Sequence, residues 1–182
     1  KVGTYPIHRS ELLDLWHSYK HSVQSKPLYT KEEMKQLIAQ WQNKGETVVF
    51  TNGCFDILHR GHITYLQEAA QLGDHLIIGL NSDASVRRLK GETRPIVREE
   101  DRAALLSALR CIDGVVLFEE DTPAELLAYL RPNTLVKGGD YKIEDIIGRE
   151  SVDHVEVLSF KEGYSTSDIV GKIATMAKEG KL

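Results

Sequence analysis

From residue 47 onward, apolar runs of strand length alternate with stretches of helical period, and this rhythm limits the possible folds more than any other feature of the chain. Strands are predicted over residues 47–51, 75–80, 114–118, 134–136 and 155–160, where Val, Ile, Leu and Phe dominate. Helices are predicted over 61–72 with a stop at Gly73, over 99–110, from Thr122 and Pro123 onward, and from Ser165 to Lys178. Strands that are apolar along their whole length and joined through helices require parallel pairing with both sheet faces covered. The expectation is an α/β fold, a Rossmann-like parallel sheet with helices on both faces, whose ligands lie beyond the carboxyl ends of the strands.

Ahead of this core, a capping box from Thr30 to Glu33 opens a helix that carries Met34, Leu37, Ile38 and Trp41 and ends near Gly45. A further amphipathic helix is expected over 8–20, with Ser10 as N-cap and Leu12, Leu13 and Trp16 on one face. The polar run 22–26 isolates it, so residues 1–27 read as an appendage or linker and 28–182 as one domain. The chain opens on lysine with no apolar leader, which reads as a piece of something longer or a processed product.

Charge and cysteine content narrow the function. Acidic residues outnumber basic ones by 27 to 23, which leaves no electrostatic footprint for nucleic acid and no polybasic anchor for a membrane. No apolar run approaches the roughly 20 residues of a transmembrane helix. Two cysteines, Cys54 and Cys111, without a C-x-x-C, argue against a disulfide framework and for a reducing, cytoplasmic setting.

Several nucleotide and metal signatures are missing: no G-x-G-x-x-G follows the first strand, and there is no G-x-x-x-x-G-K-[ST] and no H-E-x-x-H. The first strand runs instead into Asn52-Gly53-Cys54-Phe55-Asp56 and then His59-Arg60-Gly61-His62 at the start of a helix. A helix N-terminus favours phosphate through its unpaired N–H groups and dipole, and two imidazoles on one face add aimed donors. Gly61 is expected to leave room for a phosphate or ribose to approach the backbone. The competing roles are helix capping for one histidine and surface exposure for the other; position at the first β-to-α switch favours ligand binding. Cys54, His59 and His62 as zinc ligands is disfavoured on ligand count and spacing, so no metal ligands are assigned.

At the far end, Ser165, Thr166 and Ser167 open the closing helix and form a second anion site or an ordinary N-cap. Lys137 ends a strand ahead of Gly138, Gly139 and Asp140, either reaching phosphate or snorkelling beside a turn. The run from Arg87 to Pro95, with Arg88, Lys90 and Arg94, reads as a basic patch on a loop, solvated or anion-binding.

Together with Asn81-Ser82-Asp83 and Tyr141, these motifs make the chain resemble the cytidylyltransferase-like nucleotidyltransferase superfamily over residues 30–178. The runs from Arg88 to Pro95 and from Lys137 to Tyr141 resemble its D-glycero-β-D-manno-heptose 1-phosphate adenylyltransferases. Ser167 departs from a frequent threonine while keeping the hydroxyl, and 152–157 is shorter than usual. The resemblance implies transfer of AMP from ATP to a heptose 1-phosphate, with Mg²⁺ bridging phosphates, in lipopolysaccharide core synthesis. It also implies a fused or partner heptose kinase domain, whose tail residues 1–25 resemble, and a homo-oligomer.

In this reading His59, His62 and Lys137 are catalytic. Asn52, Gly53, Cys54 and Phe55 meet the α-phosphate, and Ser165 to Ser167 the β/γ end. Gly61, Asn81, Asp83, Gly138 and Asp140 contact the nucleotide. Arg88, Lys90 and Arg94 meet the sugar phosphate, and Asp56 its hydroxyls. Two rivals stay open: a cytidylyltransferase acting on a polyol or amino-alcohol phosphate, and an inactive nucleotide-binding module.

Overall fold

The computed structural model describes residues 28–159 and 163–182, together with Arg9. Six strands, β1 (Leu28–Tyr29), β2 (Val48–Gly53), β3 (His75–Asn81), β4 (Gly114–Phe118), β5 (Thr134–Gly138) and β6 (His154–Leu158), form one all-parallel sheet in the order β1-β4-β3-β2-β5-β6. Among the described residues six α-helical elements accompany them: α1 (Lys31–Asn43), α2 (Arg60–Ala70), α3 (Asp83–Lys90), α4 (Glu99–Ser107), α5 (Ala124–Leu130) and α6 (Thr166–Lys178).

The pleat sends successive strand residues to opposite faces, and both faces are apolar. Val49, Ile78, Val115 and Val136 pack with Tyr65, Leu66 and Ala69 of α2 and Leu106 of α4. Phe50, Ile77, Val116 and Leu135 pack with Met34 and Ile38 of α1 and Leu126, Leu127 and Leu130 of α5. The expected Rossmann-like sheet with helices on both faces is therefore what the chain adopts. The capping box of α1 is present: Thr30 Oγ1 accepts from the Glu33 N–H at 3.1 Å, and Glu33 Oε2 from the Thr30 N–H at 2.8 Å.

Three differences from the sequence reading bear on the site. Strands β2 and β5 each run two residues past their expected ends, and the added residues, Asn52, Gly53, Lys137 and Gly138, are polar or glycine because they face the ligand side. The basic run taken for a loop begins inside α3, which Ser82 caps by accepting the Ser85 N–H at 3.2 Å. Its signal was weak because only Ser85 and Val86 of its eight residues are buried. The expected helix over 99–110 ends earlier, at Ser107. The expected helix over 8–20 and the appendage 1–27 lie outside the described residues apart from Arg9, as does Phe160.

From β2 the chain steps outward through β3 to β4, then returns across β2 to build β5 and β6 on the other side. Such a reversal opens a crevice at the carboxyl ends of the two strands it separates, here β2 and β5.

Candidate active site

That crevice is a cleft of about 590 Å³, lined by the ends of β2 and β5 and the starts of α2 and α6. Across its floor the Lys137 ammonium donates to Asn52 Oδ1, joining the two strands at the switch point. Beneath them Tyr65 of α2 shares a 2.7 Å hydrogen bond with Thr51 Oγ1 and donates to the Val136 carbonyl at 3.2 Å, so the helix is bolted to both strands. Burial lowers the Lys137 pKa to about 8, which makes its proton sensitive to what binds beside it.

The two histidines occupy the first turn of α2. His59 is the N-cap, and its Nδ1 accepts the His62 backbone N–H at 3.4 Å. An accepting Nδ1 carries no hydrogen, so the neutral ring bears its proton on Nε2. Capping and ligand donation, alternatives in the sequence, thus fall to different nitrogens of one ring. His62 stacks on His59 with centroids 3.8 Å apart and makes an edge-type contact with Phe55 at 5.4 Å. Burial, with His59 alongside, holds His62 to a pKa of about 4, and burial also lowers His59. The pair is uncharged near neutral pH. The buried Nδ1 of His62 has no hydrogen-bond partner among the described residues.

Gly61 lines the cleft, and its missing side chain also admits the segment leading into α6, since a Cβ there would sit 2.9 Å from Tyr164 Cβ and 3.1 Å from His59 Cε1. That segment brings Ser165, Thr166 and Ser167 to the cleft wall. Ser165 Oγ caps α6 by accepting the Ser167 N–H at 3.1 Å and keeps its hydroxyl hydrogen, while Thr166 Oγ1 lies 3.4 Å from the Ile57 carbonyl.

The substrate-side assignments divide. Asp56 lines the cleft but is 3% exposed and committed to protein: Oδ1 accepts the Ile96 and Val97 N–H groups at 2.7 and 2.9 Å, and Oδ2 accepts from Arg94. It anchors the loop after α3 instead of meeting sugar hydroxyls. Arg94 and Lys90 also line the cleft. Arg88 does not; it pairs with Asp121 at 2.7 Å and with the Glu119 carbonyl. Two positions apart on a helix, Arg88 and Lys90 project in different directions.

Asn81 and Asp83 are not brought to the cleft. Asn81 is buried and donates to Ser85 Oγ at 3.0 Å, and Asp83 pairs with Arg102 at 2.7 Å. Asp140 is exposed in the turn after β5 and is not a lining residue, whereas Gly138 is. The sequence reading left several residues at the site without a role, Tyr65 among them. Tyr141 and Tyr164 line the cleft, and Arg102 lies buried beneath it. Arg102 was detectable as a charge on the same helical stripe as Leu106.

Cys54 lines the cleft as a thiol whose pKa burial raises. Among the described residues no three His, Cys, Asp or Glu side chains gather to hold a metal ion. Also among them, no helix is long and apolar enough to cross a membrane.

A doubly wound parallel sheet with a buried lysine and a histidine-bearing helix start at its switch point forms a cleft suited to a phosphorylated ligand such as a nucleotide. The chain belongs to the cytidylyltransferase-like family, whose model matches residues 50–172. It is similar to Bifunctional protein HldE of Wolinella succinogenes, with 47% identity over 173 residues, covering 95% of this chain and 36% of that protein. Similarity to Bifunctional protein HldE of Pelobacter propionicus is 49% over 177 residues, with the same coverage. The chain thus spans about a third of the length of these curated relatives. Among solved structures, the lipopolysaccharide core biosynthesis protein from Thermoplasma volcanium matches with a TM-score of 0.54 and 32% identity, covering 66% of this chain and 100% of that one.

Proposed function

We propose that the domain transfers AMP from ATP to D-glycero-β-D-manno-heptose 1-phosphate, giving ADP-heptose and pyrophosphate for lipopolysaccharide core synthesis. The observation that carries this reading is the neutral, stacked pair His59 and His62 at a helix start, in the same cleft as Lys137 at the switch point. The similarity to the HldE proteins and to the lipopolysaccharide core protein supports the sugar branch.

The chemistry asks little of proton transfer. A sugar phosphate oxygen, already ionised at neutral pH, attacks the α-phosphorus, the α–β phosphoanhydride bond breaks, and its electron pair leaves with pyrophosphate. No general base is needed, so catalysis reduces to holding two polyanions in line and stabilising charge as it moves. His59 Nε2–H and the His62 ring are donors to the α-phosphate and the breaking bond, with the backbone of residues 53–55 alongside. Lys137 neutralises phosphate charge, and the hydroxyls and N–H groups of Ser165 and Thr166 hold the β/γ end. Lys90 and Arg94 receive the acceptor phosphate.

Mg²⁺ in this scheme arrives with the triphosphate as part of the substrate. The one carboxylate lining the cleft among the described residues, Asp56, is already engaged by two amides and Arg94, so the protein supplies no cage. A fused or partner heptose kinase domain, a homo-oligomer and a cytoplasmic location complete the proposal.

The test is pyrophosphate release with ATP and CTP crossed against heptose 1-phosphate, glycerol 3-phosphate and phosphoethanolamine. ATP with heptose 1-phosphate is the pair expected to react. Release with CTP alone overturns the adenylyl assignment. Binding of nucleotide without release from any pair makes the domain an inactive module.

A further inference from the structure

Beneath the cleft, Arg102 of α4 is 0% exposed and its guanidinium is directed at four separate pieces of chain. One terminal nitrogen donates to the Cys54 carbonyl at 2.5 Å and to the Asn81 carbonyl at 2.9 Å. The other donates to Asp83 Oδ1 at 2.7 Å, and Nε donates to the Val97 carbonyl at 3.0 Å. The ends of β2 and β3, the first residue of α3 and the loop before α4 therefore meet on one planar fork. Such a buried cation is tolerated only when it is paired and its donors are satisfied, and here both conditions hold.

Two of those contacts lie directly behind groups assigned to opposite substrates. The Cys54 carbonyl belongs to the turn whose N–H groups face the nucleotide, and the next residue, Phe55, is held at φ +46, a conformation a non-glycine side chain rarely adopts. Val97 belongs to the loop that carries Arg94, and the same residue's N–H is held by Asp56. A ring of contacts results: Asp56 to Val97, Val97 to Arg102, Arg102 to Cys54, and Cys54 through two peptide bonds back to Asp56. This ring ties the nucleotide turn to the acceptor loop.

We infer that Arg102 is a positioning residue that fixes the distance between the α-phosphate turn and the acceptor-phosphate loop, and so acts on the in-line geometry of transfer without touching either substrate. The inference rests on the nucleotidyl-transfer reading above. In-line displacement is sensitive to this distance, since a shift of about 1 Å lowers a rate by about 10²-fold. Each substrate still meets its own intact half-site, so binding changes little while turnover falls.

The experiment compares Arg102→Lys and Arg102→Met with the parent chain. Assays use whichever nucleotide and acceptor pair the parent turns over, at a temperature where thermal unfolding shows each variant folded. Lysine keeps the charge but not the fork, because it is a point donor that cannot span four carbonyl and carboxylate partners. The expected result is a fall in kcat of about 10- to 100-fold in Arg102→Lys, with KM for both substrates within about threefold of the parent.

Amide hydrogen exchange is read in parallel, with faster exchange expected at Ile96 and Val97 in both variants. A folded Arg102→Lys protein with parental kcat overturns the inference, as does a rise in KM at unchanged kcat. If Arg102→Met does not fold, Asp83→Asn replaces it. That variant removes the carboxylate that orients the fork, and its kcat should fall in the same direction; an unchanged kcat counts against the inference. A parent chain that turns over no pair refutes the functional reading instead, so the two failures are distinguishable.

Discussion

Burial lowers the pKa of His59, His62 and Lys137 in the cleft. His62, held to about 4, is neutral throughout the physiological range, which leaves Lys137 as the titratable cation nearest the switch point. Its pKa lies at about 8, well below that of a solvated lysine, so the free protein loses this proton in a range where an ordinary lysine would keep it. A phosphate ligand needs the charged form. The expected outcome is a kcat/KM for ATP that declines as pH rises through about 8, since this parameter reports the free enzyme. Lys137→Arg should keep its plateau to higher pH because arginine does not deprotonate there, at a lower absolute rate because the planar group fits the Asn52 contact differently. A pH–rate profile of both proteins decides it. At this scale the histidines, Lys137 and the serine-threonine turn were legible because each motif sits at a strand end or helix start, where backbone geometry already favours phosphate. Asp56 was read as a sugar contact because sequence shows a carboxylate without showing that Arg94 and two backbone N–H groups already hold it.

Among the contacts by which elements meet at the site, one is too close to admit a side chain. The segment before α6 approaches α2 closely enough that Tyr164 Cβ occupies the place where a Cβ on residue 61 would be, at 2.9 Å. Both atoms are attached directly to backbone, so no rotamer change relieves the clash and the segment itself has to move. Gly61→Ala is therefore expected to lower stability by about 1–3 kcal/mol, the usual range for overpacking. It should also raise KM for ATP, because the hydroxyls of Ser165 and Thr166 retreat from the cleft. Urea denaturation and steady-state kinetics on one preparation measure both effects. A variant with parental KM would show that α6 follows α2 without losing its ligand contacts. Elements with an apolar stripe, such as α1, α2 and α5, were legible in the sequence. By contrast, α3 was not, since its apolar content is small and much of what holds it is polar, including the Ser82 cap and the pairing of Asp83 with Arg102.

The whole molecule carries the cost of a neutral buried imidazole as a dependence of stability on pH. His62 titrates at about 4 in the fold and near 6.5 when unfolded, so between these values the unfolded chain binds more protons than the native one. Stability is complete above the unfolded pKa and declines as pH falls below it, by about 1.4 kcal/mol per unit until the folded pKa is reached. His62→Gln should lack this component. Urea denaturation at neutral pH and at about pH 5 should show the parent losing roughly 2 kcal/mol more than the variant. Equal losses would place the acid sensitivity elsewhere. The architecture at this scale was readable because alternating apolar runs dictate a parallel doubly wound sheet almost alone. The strand order could be drawn only from the structure, because several arrangements of the same strands satisfy the same periodicity.

The bond between Lys137 and Asn52 joins residues 85 positions apart in the chain. Helix α2 and its histidines can be synthesised long before their cationic partner exists, and β5 can take its place only after β3, β4 and the intervening helices have been made. Parallel pairings at such separation form slowly, because loop closure must come before any contact rewards it. A nucleotide that recognises both sides of the switch point therefore has nothing complete to bind in a half-made chain. It stabilises the finished fold by mass action and gives no help along the way. The appearance of ATP affinity during refolding would mark the docking of β5, and with it the moment at which the sheet is closed over its own midpoint.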